Sequence, residues 1–310
     1  YNTRLSFYLK LTSDEQPNVV GVGECATLPD LSCDAMPPNE YERKLRAFCD
    51  EYERTGIINY EAMRPYPSML FGIETAVAQF NAKGSLNFFG TPFGRGEDGI
   101  PINGLVWMGT FNEMFNRMEE KLKAGYHCVK LKIGAIDFEQ ELQLIQHIRA
   151  SFSRNDVELR VDANGGFTPK EALSRIEALA QYDIHSIEQP IKQHQWTEMA
   201  RLCAETPLPI GLDEELIGVN DKQKKIELLD TIRPQYIVLK PSLHGGMAGT
   251  KEWIQLARAR HIGSWITSAL ESNVGLNAIA QLTAHIYGTN IHHAQGLGTG
   301  QLFADNVRMP

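Results

Sequence analysis

Three acidic residues, Asp162, Glu188 and Asp213, each close an apolar run and fall 26 and 25 residues apart. The runs read Arg160-Val161-Asp162, His185-Ser186-Ile187-Glu188 and Ile210-Gly211-Leu212-Asp213. That interval is the size of one strand–helix unit, so each acid holds the same place in successive units. Lysines extend the series at both ends. Lys132 closes Val129-Lys130-Leu131-Lys132, 30 residues before Asp162, and Lys240 closes Tyr236-Ile237-Val238-Leu239-Lys240, 27 residues after Asp213. Three converging carboxylates repel one another strongly unless a cation joins them. A ligand set made only of oxygen suits Mg²⁺, with Mn²⁺ as the substitute, rather than Zn²⁺, which recruits His or Cys. The pattern predicts an enzyme with a divalent metal.

Lys130 and Lys132 are two apart, so on a strand they share a face while Leu131 takes the other. Alone, such a pair describes a solvated edge strand, and each acid alone describes a cap or an exposed turn. The joint register turns both lysines inward, where they are costly unless something uses them. A lysine becomes a base near neutral pH when a neighbouring cation lowers its pKa, and both the metal and the second lysine qualify. The chemistry this predicts is removal of the α-proton of a carboxylate, with the enediolate charge held by the metal and by Lys240 on the opposite side. Other candidates fare worse. His292 and His293 are adjacent, cannot both face an interior, and read as structural. Gly21-Val22-Gly23 lacks the third glycine of a dinucleotide fingerprint, and no P-loop, G-x-S-x-G or H-E-x-x-H is present.

The elements that must position these groups form a (β/α)8-type barrel with an N-terminal α+β capping domain. Strand-like runs lie near 101–107, 127–133, 157–162, 184–188, 208–213, 236–240, 263–268 and 291–295, with helical patterns between them, such as 138–152 and 169–182. Charged groups that recur at the ends of consecutive strands favour a closed barrel over an open doubly wound sheet, which concentrates its site at one switch point. Residues before about 98 break this rhythm. A strand over 5–11 pairs with one over 19–24 through a polar turn, and helices follow at 39–55 and 67–83. The Gly/Pro-rich stretch 89–101 marks the boundary, giving a capping domain over 1–98 and a barrel over 99–310.

Length and composition agree. A chain of 310 residues holds one barrel of roughly 250 residues and a minor domain. No apolar run approaches the ~18 residues of a membrane span, and a net charge of −8 argues against nucleic acid and anionic membranes as partners. Five scattered cysteines without a C-x-x-C pair read as free buried thiols in a reducing cytoplasm.

Lys130-x-Lys132, the stretch from Arg160 through Asp162-Ala-Asn-Gly-Gly, Glu188-Gln-Pro190, Asp213-Glu214 and Lys240-Pro241 together resemble the muconate-lactonizing subgroup of the enolase superfamily. The resemblance covers nearly the whole chain, including Gly21 to Glu24 in the capping domain. The stretches Thr267 to Gly275 and Gly296 to Phe303 are similar to those of the o-succinylbenzoate synthases. Those enzymes dehydrate 2-succinyl-6-hydroxy-2,4-cyclohexadiene-1-carboxylate to 2-succinylbenzoate in menaquinone biosynthesis. The resemblance implies Asp162, Glu188 and Asp213 as Mg²⁺ ligands and Lys132 as the base that then assists departure of the hydroxyl. Lys130 would lower the pKa of Lys132, and Lys240 would stabilise the enediolate. Ser268, Thr267 and Asn164 are the implied substrate contacts, Ser268 and its neighbours lying beside the succinyl chain. The family's capping domain opens with a further strand and a mobile loop upstream of the segment matching 4–11, and the resemblance predicts that the stretch 1–98 lacks them. N-acylamino acid racemases and dipeptide epimerases use the same metal site. The epimerases carry an Asp-x-Asp where this chain reads Gly296-Leu-Gly-Thr-Gly300, so a substrate ammonium has no evident partner here. A non-catalytic barrel would have lost at least one of the six charged residues.

Overall fold

The computed structural model describes residues 3–134 and 136–307. Antiparallel pairing comes first along the chain, β1 (Phe7–Leu11) against β2 (Gly21–Cys25), in register from Phe7↔Cys25 to Leu11↔Gly21. Three helices follow: α1 (Pro38–Thr55), α2 (Tyr60–Met63) and α3 (Pro67–Asn81). Proline in the first turn of α1 and of α3 sacrifices only an N–H that has no helical partner there. Tyr41, Leu45 and Phe48 of α1 pack with Met63, Met69, Leu70 and Ile73 in a core of their own. Helix α3 crosses β2 at backbone contact. A Cβ on Gly23 would lie 1.8 Å from the Gly72 carbonyl oxygen, so neither position tolerates a side chain.

The strand–helix rhythm then runs β3 (Gly104–Val106), α4 (Phe111–Lys123), β4 (Cys128–Lys132), α5 (Phe138–Ser151), β5 (Glu158–Asp162), α6 (Pro169–Leu179), β6 (Ser186–Glu188) and α7 (Trp196–Glu205). It continues through β7 (Ile210–Leu212), α8 (Lys222–Ile232), β8 (Tyr236–Leu239), α9 (Gly246–Arg258), β9 (Gly263–Ile266) and α10 (Asn273–Tyr287). Strands β3 to β9 form one parallel sheet in sequence order, and a single apolar core fills the layer between strands and helices. The expected eighth strand over 291–295 differs. Two residues, Gln295 and Gly296, stand in its place and bridge β3 to β9. Asn103 N–H donates to Gln295 O (3.0 Å), Gln295 N–H to Pro101 O (2.8 Å) and Gly296 N–H to Ile266 O (2.8 Å). The buried Gln295 side chain takes over part of the ladder: its Oε1 accepts Ile266 N–H at 2.7 Å and its Nε2 donates to His293 O at 2.8 Å. Glycine is required at residue 296, because a Cβ there would lie 2.2 Å from Thr267 Oγ1.

Two carboxylates fasten the N-terminal elements to the barrel. Glu24 accepts Ser272 N–H (3.0 Å), Ser272 Oγ–H (2.6 Å) and Gly275 N–H (3.0 Å) at the start of α10. Glu74 of α3 accepts Met247 N–H (2.5 Å) and Ala248 N–H (2.9 Å) at the start of α9. Helix N-termini present unpaired N–H groups, so each contact satisfies donors that the helix leaves open. Among the described residues no helix is long and apolar enough to cross a membrane. All five cysteines are free; Cys25, Cys128 and Cys203 are buried, but Cys33 is exposed, contrary to expectation.

Burial pushes the Glu74 carboxyl up to about 8, outweighing the two backbone N–H groups that favour its charge. Between the ordinary value near ~4.3 and that pH, the folded chain keeps a proton that the unfolded chain releases. Stability contributed by this group therefore falls as pH rises through the window. Urea unfolding of the native protein and of Glu74→Gln at pH 5 and pH 8 is expected to show the native protein losing on the order of 1 kcal/mol or more relative to the variant. The opposite slope would mean that the carboxylate is charged at the helix terminus.

Candidate active site

Parallel register converts the sequence spacing into a lateral row. Lys132 pairs with Asp162, and Asp162 with Glu188, as direct Cα partners across β4, β5 and β6. Asp213 follows the last residue of β7 and Lys240 the last residue of β8, so all five groups, with Lys130 one layer deeper, meet at the C-terminal end of the strands. All three acids are buried, and one oxygen from each lies within 4.8 Å of the others.

Ammonium groups compensate these charges. Lys130 Nζ donates to Glu188 Oε1 and Oε2 at 2.8 and 2.7 Å and lies 2.8 Å from Asp162 Oδ2. Lys132 Nζ donates to the same Asp162 oxygen at 2.6 Å and to Asn164 Oδ1 at 2.7 Å. The two ammonium groups are therefore neighbours across one carboxylate oxygen. Lys240 Nζ contacts Asp213 Oδ2. Burial alone would lower Lys130, but Asp162 and Glu188 outweigh it and hold the ammonium well above its usual range. Burial likewise opposes the charge of Lys240, and Asp213 and Glu214 override it. Asp162 is held far below the usual carboxylate range, since Lys130 and Lys132 overcome its burial. Glu188 is pushed up to about 8 by burial and by the Asp162 charge, and burial raises Asp213 despite Lys240.

The three carboxylates fit a divalent cation. Their donors are all oxygen, which suits a hard ion, and Asp213 Oδ1 is buried with no hydrogen-bond partner among the described residues. Gln189, which follows Glu188, ties that strand end to the one carrying Asp213: its Oε1 accepts the N–H groups of Asp213 and Glu215, each at 3.2 Å, and its Nε2 donates to Ile191 O at 2.9 Å.

Asn164 stands beside Lys132 with its amide orientation fixed, because Nδ2 donates to Glu214 Oε1 at 2.8 Å. Thr267 and Ser268 lie on the rim after β9. Thr267 Oγ–H donates to Gly296 O at 2.9 Å, and Ser268 pairs with Thr299, so both join the rim to the closing segment. Sequence reasoning missed two neighbours. Trp107, which follows β3, presents its ring 5.6 Å from Lys132 Nζ, and Arg117 pins the backbone there by donating to Trp107 O and Met108 O. Glu214 was visible only as the residue after Asp213. His293 packs near His185 and Tyr236 (6.1 and 6.3 Å between ring centroids), at the opposite end of the strands from the acids.

Residues 113–306 match the family model for the enolase C-terminal domain-like fold, and this chain belongs to that family. It is 54% identical over 242 residues to the o-succinylbenzoate synthase of Desulfotalea psychrophila, a match spanning 78% of this chain and 65% of the relative's own length. The L-Ala-D/L-Glu epimerase of Bacillus subtilis is 29% identical over 189 residues, 60% of this chain and 50% of that enzyme. Among solved structures, MenC from Desulfotalea psychrophila superposes with a TM-score of 0.83 at 43% identity, covering 99% of this chain and 91% of that one.

A divalent cation is expected to bind and stabilise the fold. Titration calorimetry should show Asp213→Asn weakening Mg²⁺ or Mn²⁺ binding by about 10-fold or more, with the metal-induced rise in Tm lost in parallel. Unchanged affinity in the variant would remove Asp213 from the ligand set.

Proposed function

We propose that the protein is an o-succinylbenzoate synthase, a carbon–oxygen lyase that converts 2-succinyl-6-hydroxy-2,4-cyclohexadiene-1-carboxylate to 2-succinylbenzoate and water. The observation that carries this reading is the 54% identity to the synthase of Desulfotalea psychrophila, joined to a mouth that holds all three acids and all three lysines. Residues 1–98 serve as the capping domain and 99–310 as the barrel. The reaction takes place in the cytoplasm, which the five free thiols support.

Asp162, Glu188 and Asp213 would hold Mg²⁺, whose positive charge offsets that of the substrate carboxylate and of the enediolate derived from it. Lys132 Nζ, acting as the uncharged amine, removes the proton from the ring carbon that bears the carboxylate. The same nitrogen, now an ammonium, returns that proton to the departing C6 hydroxyl, so one C–H and one C–O bond break, water leaves and the ring becomes aromatic. Lys130, held charged by the acids beside it, is the fixed cation next to Lys132 across the shared Asp162 oxygen. Lys240 places a second positive charge against the enediolate. Asn164 orients the Lys132 ammonium, while Trp107 offers a flat apolar wall beside the base. Ser268 and Thr267 line the rim on the side of the succinyl chain. Residues 296–300 contain no acid to receive a substrate ammonium, which disfavours a dipeptide epimerase.

Loss of the diene absorbance in the presence of Mg²⁺ is the direct assay. Lys132→Ala is expected to lower kcat by about 10³-fold or more with the fold intact by circular dichroism. No turnover of the diene, together with exchange of the α-proton of N-succinyl amino acids in deuterated water, would replace this reading with a racemase.

A further inference from the structure

His244 is a fully buried titratable residue that the reaction above does not use, and it sits four residues beyond Lys240. Strand β8 ends at Leu239, so the Lys240 peptide groups lie past the regular ladder. His244 takes up both of them. Its ring Nδ1 accepts the Lys240 N–H at 2.8 Å, and its own N–H donates to the Lys240 carbonyl at 3.0 Å, where Leu243 N–H also donates at 2.8 Å. An accepting Nδ1 puts the ring proton on Nε2. Burial, and then the charges of Lys240 and Lys225, keep the ring far below the usual histidine range.

The ring also carries a cost. Nε2 is buried and makes no hydrogen bond of normal geometry among the described residues, although the Asp213 backbone lies close enough to favour its proton; an apolar side chain of similar size would avoid that desolvation cost. Packing alone does not explain a histidine here; the acceptor on Nδ1 does. Helix α9 holds the ring's backbone in place from below, since a Cβ on Gly249 would lie 2.5 Å from the His244 carbonyl oxygen.

We propose that His244 is a positioning residue for Lys240: by accepting the Lys240 backbone N–H it fixes the direction in which that side chain leaves β8 toward the substrate. The inference rests on the reading of Lys240 as the enediolate stabiliser. Misplacement of a charge by about 1 Å can cost on the order of 10²-fold in rate, so a bond to the backbone can act on the chemistry at a distance.

The test uses the Mg²⁺-loaded enzyme with His244→Leu, which removes the acceptor, and His244→Asn, whose amide oxygen falls near the Nδ1 position. The Leu variant is expected to lose about 10- to 100-fold in kcat with KM within about threefold, and the Lys240 amide should exchange with deuterium at least about 10-fold faster. The Asn variant should restore both readouts to within about threefold of the native enzyme. Native kcat in the Leu variant, equal loss in both variants, or unchanged exchange at Lys240 would each overturn the proposal. If the native enzyme fails to turn over the diene, the dehydratase reading falls, and amide exchange alone judges the role of His244.

Discussion

Neither the acids nor the lysines at the barrel mouth would be stable without the other set. Burying an unpaired ion costs several kcal/mol, and here three carboxylates lie fully inside the protein with Lys130, Lys132 and Lys240 within hydrogen-bond reach. This mutual requirement dictates the architecture. The groups must come from at least five strands, those strands must be parallel and in register, and their ends must converge. A barrel closed by short strands does this with little backbone, since β6 and β7 need only three residues each to deliver Glu188 and Asp213. The compensation is also unequal. Asp162 is served by two ammonium groups while Glu188 is pushed toward protonation, so an incoming dication would redistribute charge that is already poised in the site.

The N-terminal elements belong to the same system. Glu24 and Glu74 each cap a barrel helix, and both helices begin just after loops that carry site residues, Lys240 before α9 and Thr267–Ser268 before α10. Between these anchors, Leu28 and Leu31 pack on Leu243, Ala269, Leu270 and Ile217, which lie beyond β7, β8 and β9. The N-terminal segment thus meets the strand-end loops through apolar contact at the centre and carboxyl-to-helix contacts on either side.

Much of this was legible from residue spacing. Asp162, Glu188, Asp213, Lys132 and Lys240 each close a strand, and a period of 25 to 30 residues has few structural explanations. Helix starts were equally readable where chemistry marks them: Thr168 precedes Pro169 at the start of α6, and its N–H is held by Glu171 at 3.1 Å. What escaped depends on contacts between distant segments. Trp107 became a neighbour of Lys132 only when β3 and β4 paired, and nothing in its local sequence marks it. The role of Glu214 depends on an amide 50 residues away. The eighth strand failed for a different reason. The stretch 291–295 does lead to the barrel wall, but in place of a strand Gln295 and Gly296 bridge there through isolated pairings and a side-chain amide that no periodicity can report.

That substitution makes the barrel a ring with a seam. Seven positions are joined by continuous backbone ladders, while the eighth is joined by bridging residues and one amide side chain. At that joint, residues 295–296 exchange backbone bonds with residues 101, 103, 266 and 268 and add the Gln295 side-chain bond to Ile266 N–H. The ring is thus closed at one joint by the identity of a side chain, Gln295, as well as by backbone.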